Sequence, residues 1–292
     1  MALPHQDYAV PQTAAKVRAM GGTEFLIIYG LMLLTVGLVA GVLAGLLGVG
    51  GGIVIVPSLY LLFNYLNIAP DILMHLAVGT SLATIIPTSI RSVLKHNSRD
   101  AVDIGILKHW GPWLFAGALL GTIIAAYIST GGLILIFGCI GLTVALHMVL
   151  SSPDMTIADR LPQGPLGSAL PLVTGAISTL MGIGGGTLGV PTMTLFNVPI
   201  HRAVGTASGF GVIIAVPATI GFVVNGWDAA NLPLYSFGYV SLIGFGLIVP
   251  ATLLAVPLGV KLAHWLNPTM LRRAFALFLA LTSLRMLWDS LV

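Results

Sequence analysis

Long stretches without a charged side chain constrain this sequence more than any other feature. No Asp, Glu, Lys or Arg occurs within residues 25–70, 110–153, 161–201, 203–227 or 229–260. Only 7% of the 292 residues are charged, whereas an ordinary soluble domain has about 25%. A helix needs about 20 apolar residues to cross a bilayer, so most of these stretches have room for two spans. The sequence therefore predicts an all-α polytopic membrane protein.

Turn residues and charges divide the apolar stretches into about ten predicted transmembrane segments. These are 25–47, 52–66, 72–93, 109–128, 131–151, 164–182, 186–197, 201–224, 234–262 and 268–290. Residues 1–24 form a polar N-terminal tail that lacks the pattern of a cleaved signal peptide. A linker at 152–163 separates a first transmembrane repeat, 25–151, from a second, 164–292.

The two halves repeat the same features in the same order. "GVGGGIVIVP" at 48–57 corresponds to "GIGGGTLGVP" at 182–191, and "HLAVGTS" at 75–81 corresponds to "HRAVGTA" at 201–207. With five segments in each half, the second half enters the membrane from the opposite side. The sequence thus predicts an inverted-topology repeat, which many transporters use, with helices broken at the two Gly-x-Gly-Gly-Gly motifs.

Lysine and arginine predict the orientation, because basic loops stay in the cytoplasm. In a ten-span arrangement one side carries nine basic residues: Arg91, Lys95, Arg99, Lys108, Arg160, Arg202, Lys261, Arg272 and Arg273. The other side carries Lys16, Arg18 and Arg285. The 91–108 connection is therefore predicted to be cytoplasmic, and both termini are predicted to be outside.

The glycine clusters indicate a binding site. A glycine inside a helix costs about 1 kcal/mol relative to alanine, and a bilayer tolerates irregular backbone only beside protein or a water-filled cavity. Unwound turns are therefore expected at Gly50, Gly51, Gly52, Gly184, Gly185 and Gly186. Each turn begins a new helix, whose free N–H groups and positive dipole end suit an anion. The structural alternative is a pair of tight turns that serve packing alone.

Several polar side chains accompany the clusters. The candidate substrate-binding hydroxyls are Thr80, Ser81, Thr206 and Ser208. Their structural alternative is a hydrogen bond to the carbonyl four residues earlier in the same helix. His75 and His201 either line a polar, proton-linked path or lie at the membrane interface. Asn64 and Asn197 either bind substrate or cap the ends of segments.

Residues and motifs that are absent from the sequence exclude several classes of function. The single cysteine, Cys139, excludes a disulfide framework within the chain and a multi-cysteine metal site. No HExxH motif or Ser–His–Asp grouping occurs, so no catalytic residue, metal or cofactor is predicted. The net charge of +3 is attributed to basic loops beside a membrane, not to nucleic-acid binding. The expected partners are a small anion and the lipid bilayer, with a homodimer left open. An intramembrane enzyme and a non-transporting scaffold or sensor are the alternative classes.

The duplicated motifs carry a resemblance to a known family. "GVGGGIVIVP" and "GIGGGTLGVP", each followed by "AVGTS" or "AVGTA", resemble the TauE/SafE family. This is the sulfite-exporter or toluene-sulfonate-uptake-permease (TSUP) group, and the resemblance covers about residues 30–290. It implies transport of small sulfur-containing anions, such as sulfite, sulfonates or sulfoacetate, mostly across bacterial inner membranes.

The charge of the substrate predicts the direction of transport. A membrane potential that is negative inside drives a monovalent anion outward by about 2.3 kcal/mol per 100 mV. Uptake needs a coupled cation, yet no acidic residue lies well inside a predicted span. Export is therefore expected, and the alternative is proton-coupled uptake through His75 or His201.

Overall fold

The computed structural model describes residues 23–47, 51–66, 68–150, 156–263 and 268–291. In this part of the chain there are ten α-helices: α1 (Thr23–Leu47), α2 (Gly52–Tyr65), α3 (Leu73–Asn97), α4 (Ile104–Tyr127), α5 (Thr130–Leu150), α6 (Gly164–Leu180), α7 (Gly186–Leu195), α8 (Ile200–Asn225), α9 (Leu242–Ala263) and α10 (Pro268–Leu291). A short 3-10 turn precedes α3, and a two-stranded hairpin precedes α9.

The helices have the length and surface of a membrane protein. Among the described residues, six stretches are long and apolar enough to cross a bilayer: Leu26–Ala44, Pro70–Asn97, Ile104–Tyr127, Thr130–Leu150, Ile200–Asn225 and Leu242–Gly259. Large apolar side chains such as Leu31, Ile123 and Leu281 are more than half exposed, which suits contact with lipid. The predicted all-helical membrane fold is confirmed.

Helices α2 and α3 lie at the centre of the molecule. α2 is short and apolar, and its residues Leu59 and Phe63 are completely buried. α3 is buried over most of its length and packs against both α2 and α8. A second buried cluster forms around Trp110 and Phe210, whose rings stack 5.6 Å apart. The first residues of the two short helices, Gly52 of α2 and Gly186 of α7, are both buried. Both helices therefore begin inside the protein.

The first helix of each half packs against the fourth helix of the other half. α1 lies along α9, and α6 lies along α4. Small residues permit the close approach, as they do between helices in lipid. A Cβ placed on Gly41 would lie 2.8 Å from the Cβ of Ala255, and one on Gly121 would lie 2.9 Å from the Cβ of Thr179. The fifth helices, α5 and α10, also pair across the halves.

The predicted helical segment 234–262 is wrong at its start. The chain there forms a hairpin of β1 (Ser236–Phe237) and β2 (Val240–Ser241), and α9 begins only at Leu242. The antiparallel register pairs Ser236 with Ser241 and Phe237 with Val240. Tyr235 and Gly238 have φ angles of 61° and 54°. A right-handed helix cannot include such residues, so the apolar composition misled the sequence-based boundary.

The connection predicted at 91–108 is much shorter in the structure. α3 continues to Asn97 and α4 starts at Ile104, which leaves only 98–103 between them. Asp103 is the N-cap of α4, and its Oδ1 accepts a hydrogen bond of 3.1 Å from the backbone N–H of Ile106. A carboxylate in this position stabilises the start of the helix.

Candidate functional site

The two glycine-rich motifs meet inside the protein, at the start of α2. A Cβ placed on Gly52 would lie 2.9 Å from the carbonyl oxygen of Gly182 and 3.1 Å from the Cα of Ile183. Gly51, the N-cap of α2, is also buried. Gly50 lies outside the described residues. The absence of a side chain at Gly52 therefore allows two backbones from different halves to touch.

The turn of the second motif is fixed by a serine from the first half. Gly182 has a φ of +65°, and a Cβ there would lie 2.9 Å from the Cα of Val78. Its carbonyl oxygen accepts a hydrogen bond of 2.7 Å from the hydroxyl of Ser81. The sequence-predicted Ser81 is thus at the glycine turn, where it binds backbone. Glycine suits this position because it tolerates a positive φ without steric cost.

Beyond Gly182 the second motif remains buried up to the start of α7. Gly185 is the N-cap of α7 and Gly186 is its first residue, and no side chain caps this helix start. A Cβ on Gly185 would collide with Phe210 of α8. Gly184 has more room, since its nearest neighbour would be Ile85 at 3.4 Å. The first N–H groups of α7 lie in this buried motif, and among the described residues no side chain is found to accept from them.

Three hydroxyls beside this turn were missed by the sequence-based prediction. Ser178 and Thr179 lie in the last turn of α6, and Thr187 lies in the first turn of α7. All three are buried, and within the described structure their oxygens have no hydrogen-bond partner. A signal was present in the sequence, because "STLMGIGGGT" in the second half replaces "AGLLGVGGGI" in the first.

The threonine of each Ala-Val-Gly-Thr motif binds the start of a helix in the other half. Thr80 Oγ1 accepts a hydrogen bond of 2.9 Å from the N–H of Ser241, just before α9. Thr206 Oγ1 accepts one of 2.9 Å from the N–H of Asp103, just before α4. Ser241 in turn accepts a bond of 3.1 Å from Gly244, as Asp103 does from its own helix. We call these two contacts the Thr80 junction and the Thr206 junction. The Oγ1 contacts found for both threonines run to distant backbone, not to the carbonyl four residues earlier.

The glycine before each threonine brings the backbones together at the same junctions. A Cβ on Gly79 would collide with the carbonyl oxygen of Tyr239, and one on Gly205 would collide with that of Ala101. The Gly-Thr pair is therefore a backbone-contact element in both halves. The partners Ser241 and Asp103 were missed from sequence, although a Ser or Asp before an apolar run is a known signal of a helix start.

The surroundings of the two junctions differ. At the Thr206 junction, Arg202 Nη2 lies 3.6 Å from Asp103 Oδ2, and these side chains are 55% and 27% exposed. At the Thr80 junction, His75 is buried, its Nε2 donates to the carbonyl oxygen of Ala125 at 3.1 Å, and its ring lies 5.0 Å from that of Tyr239. Burial raises the pKa of the Tyr239 hydroxyl, which favours its neutral form. One junction is charged and accessible, and at the other no ion pair is found among the described residues.

The remaining predicted polar residues lie elsewhere. Ser208 donates 2.6 Å to the carbonyl three residues earlier, which is a local bond of its own helix. His201 and Asn64 are exposed. Asn197 is exposed too, with a φ of 61° at the end of α7, where its N–H binds the carbonyl of Thr194 at 3.0 Å. For Asn197 the geometry is that of a residue that ends a helix.

The donors at the glycine turns favour anions chemically. The turns gather hydroxyls and backbone N–H groups, and N–H groups at a helix start can donate hydrogen bonds to an anion. Among the residues that the structure describes, no three His, Cys, Asp or Glu side chains are placed to hold a metal ion. Helices that begin within an apolar bundle form the binding sites of many membrane transporters.

Comparison with known proteins identifies the family. The chain belongs to the TauE/SafE family, since the family described as "Sulfite exporter TauE/SafE" matches residues 33–286. The resemblance seen in the duplicated motifs is thus confirmed, and the protein is a membrane transporter of this family.

Its relatives carry the same general description. A probable membrane transporter protein of Haemophilus influenzae is 32% identical over 258 residues, which cover 88% of this chain and 97% of the relative. One from Methanocaldococcus jannaschii is 29% identical over 276 residues, covering 90% and 97%. YunE of Bacillus subtilis, also named a probable membrane transporter, is 30% identical and covers 67% and 78%. No solved structure matches the chain significantly.

Proposed function

We propose that this protein exports small sulfur-containing anions, such as sulfite, sulfonates or sulfoacetate, across a bacterial inner membrane. The observation that carries the proposal is the contact of Gly52, at the start of α2, with the turn at Gly182 that leads into α7. This contact joins the start of α2 to the turn that leads into α7, and no Asp, Glu, Lys or Arg is among the buried residues that the structure describes. The family description, which names sulfite export, supports the sulfur-containing class. The relatives are named as transporters, which favours transport over catalysis.

We infer that the two halves form an inverted repeat of ten membrane segments. The support is the reciprocal exchange of contacts: α1 with α9 and α6 with α4, and Thr80 with the start of α9 and Thr206 with the start of α4. A pseudo-two-fold axis in the membrane plane produces pairs of this kind. The excess of basic residues places the 98–103 loop in the cytoplasm and both termini outside under this proposal.

Cysteine labelling tests the orientation. In a Cys139→Ala background, we expect Ser98→Cys to react with a membrane-impermeant maleimide only after the inner membrane is permeabilised. Asp228→Cys, in the corresponding connection of the second half, should react in intact spheroplasts. Both positions are exposed. Labelling of Ser98→Cys from outside would contradict the orientation and leave the fold unaffected.

The site is tested by two neighbouring glycines of α2. A Cβ at Gly52 meets the backbone of Gly182 at 2.9 Å, whereas one at Gly51 first meets the flexible end of Ile55 at 3.3 Å. Overpacking against backbone costs about 1–3 kcal/mol. We expect Gly52→Ala to reduce labelled sulfite flux into proteoliposomes by about tenfold or more and Gly51→Ala to keep it. If a folded Gly52→Ala protein transports normally, the glycine turns serve packing alone.

The direction is tested in the same vesicles. Export of a monovalent anion driven by potential requires no coupled ion, because the inside-negative potential supplies about 2.3 kcal/mol per 100 mV. We expect flux to follow an imposed potassium-diffusion potential. The alternative, proton-coupled uptake, is favoured by one feature, the buried His75 at the Thr80 junction. Flux that ignores the potential and follows a pH gradient would establish that alternative.

A further inference from the structure

Three buried hydroxyls lie close in the chain to the second glycine turn: Ser178 and Thr179 before it and Thr187 after it. Ser178 and Thr179 are 0% exposed and Thr187 is 5% exposed, and none of their oxygens has a partner in the described structure. Leaving a buried polar group unpaired is destabilising, because the group loses its hydrogen bonds to water and gains none in the protein. Eight buried side-chain atoms of the described residues lack a partner, and three of the eight fall within residues 178–187, on either side of this turn.

Backbone hydrogen bonds hold the glycine turn against the end of α6. The N–H of Ile183 binds the carbonyl of Ser178 at 2.9 Å, and the N–H of Gly182 binds that of Thr179 at 3.1 Å. The turn thereby folds back onto the end of α6. Thr187 follows as the second residue of α7, a ten-residue helix without a side-chain cap. Along the chain, two of the unpaired hydroxyls thus precede the start of α7 and the third is in its first turn.

The first half has no equivalent donors. Aligned on the two glycine motifs, the positions of Ser178, Thr179 and Thr187 correspond to alanine, glycine and Ile53. Ile53 is 2% exposed and lies in the apolar core. In the first half, the space beside Gly52 is occupied by the backbone of Gly182 and Ile183. Among the described residues, the unpaired hydroxyls next to a glycine turn therefore lie in the second half.

We propose that Ser178 and Thr187, with the first N–H groups of α7, form an asymmetric subsite for the oxygens of a small oxyanion. This inference rests on the proposed function and specifies where the anion is held. Each hydroxyl donates a hydrogen bond to an anionic oxygen, and the α7 dipole adds attraction. The equivalent turn of the first half acts as a packing surface. The duplicated motif thus has one binding copy and one structural copy.

Paired variants of α7 test the subsite. Thr187→Val removes an unpaired hydroxyl, whereas Thr192→Val removes one that binds its own helix, at the carbonyl of Leu188, with a distance of 2.7 Å. Ser178→Ala is a second test on α6. The purified protein is heated in detergent with sodium sulfite, and with sodium chloride at equal ionic strength as the blank. Apparent affinity is taken from the dependence of Tm on sulfite concentration.

The expected result separates a ligand role from a structural one. Without sulfite, Thr187→Val and Ser178→Ala should unfold no earlier than the unmodified protein, because they remove unpaired buried polar atoms. With sulfite, both should show affinity weakened by about tenfold or more, while Thr192→Val should not. If sulfite stabilises all variants equally, the subsite is wrong and the transport proposal stands. If sulfite neither stabilises nor crosses with the unmodified protein, the proposed function fails and the subsite fails with it.

Discussion

The Thr80 and Thr206 junctions share their backbone geometry and differ in their surroundings. In each, a threonine accepts a backbone N–H at 2.9 Å, and the preceding glycine touches a carbonyl oxygen. The Thr206 junction carries an exposed ion pair of Arg202 and Asp103, whereas the Thr80 junction is buried beside His75. The comparison indicates that the Gly-Thr pair sets the position of the helix start, whereas the flanking residues can differ in charge and burial.

The largest effect is expected at the glycines of the junctions. Gly79→Ala and Gly205→Ala each drive a Cβ into a backbone carbonyl, of Tyr239 and Ala101 respectively. Backbone yields less readily than a side chain, so each variant should lose about 3 kcal/mol of stability. Fluorescence-detected size-exclusion chromatography after a heat step measures the loss. If Gly205→Ala remains as stable as the unmodified protein, the two junctions are not mechanically equivalent.

The threonines should separate the junctions. Thr80→Val leaves the N–H of Ser241 unpaired in a buried contact, at a cost of about 2 kcal/mol. Thr206→Val exposes the N–H of Asp103 in a partly buried contact that water can reach, so the cost should be about 1 kcal/mol or less. Thr84→Val, which removes a bond to the carbonyl of Ser81 within the same helix, is the control. Equal losses at both junctions would mean that burial does not distinguish them.

The smallest effect is expected from the ion pair. Arg202→Ala removes an exposed guanidinium 3.6 Å from Asp103, and such surface pairs contribute about 0–1 kcal/mol. Thermal unfolding at low and high salt measures this contribution, which salt should reduce. A loss larger than that of Thr206→Val would show that the charge, and not the Gly-Thr pair, holds the start of α4.

The sequence predicted the features that depend on composition and local pattern. Charge-free runs predicted helices, because an α-helix in lipid pairs all its backbone N–H and C=O groups within the same segment. Consecutive glycines predicted the interruption before α7, where the helix stops at Leu180 and resumes at Gly186. The resemblance of the duplicated motifs to the TauE/SafE family was confirmed over residues 33–286.

Features that depend on contacts between residues far apart in the chain could not be predicted from the sequence. The partners of Thr80 and Thr206 lie 161 and 103 residues away along the chain, so no local pattern links them. The hairpin before α9 is apolar and resembles the helix that follows it, and only the turn at Gly238 distinguishes the two. Whether Ser178 has a partner depends on all the atoms around it, and the same residue type elsewhere binds its own helix.

The pairing of α1 with α9 has a consequence for how the protein is made. During synthesis α1 enters the membrane long before its partner exists, and the same is true of α4 and α6 to a lesser degree. The glycines that receive α9, Gly37 and Gly41, face lipid in the meantime. Lipid tails are as apolar as the side chains of a transmembrane helix. An α1 that has not yet packed against α9 therefore has little free-energy penalty. A larger residue at Gly37 should therefore permit insertion of α1 into the membrane and block its packing against α9. Quality-control proteases would then act on a chain that is inserted but not packed.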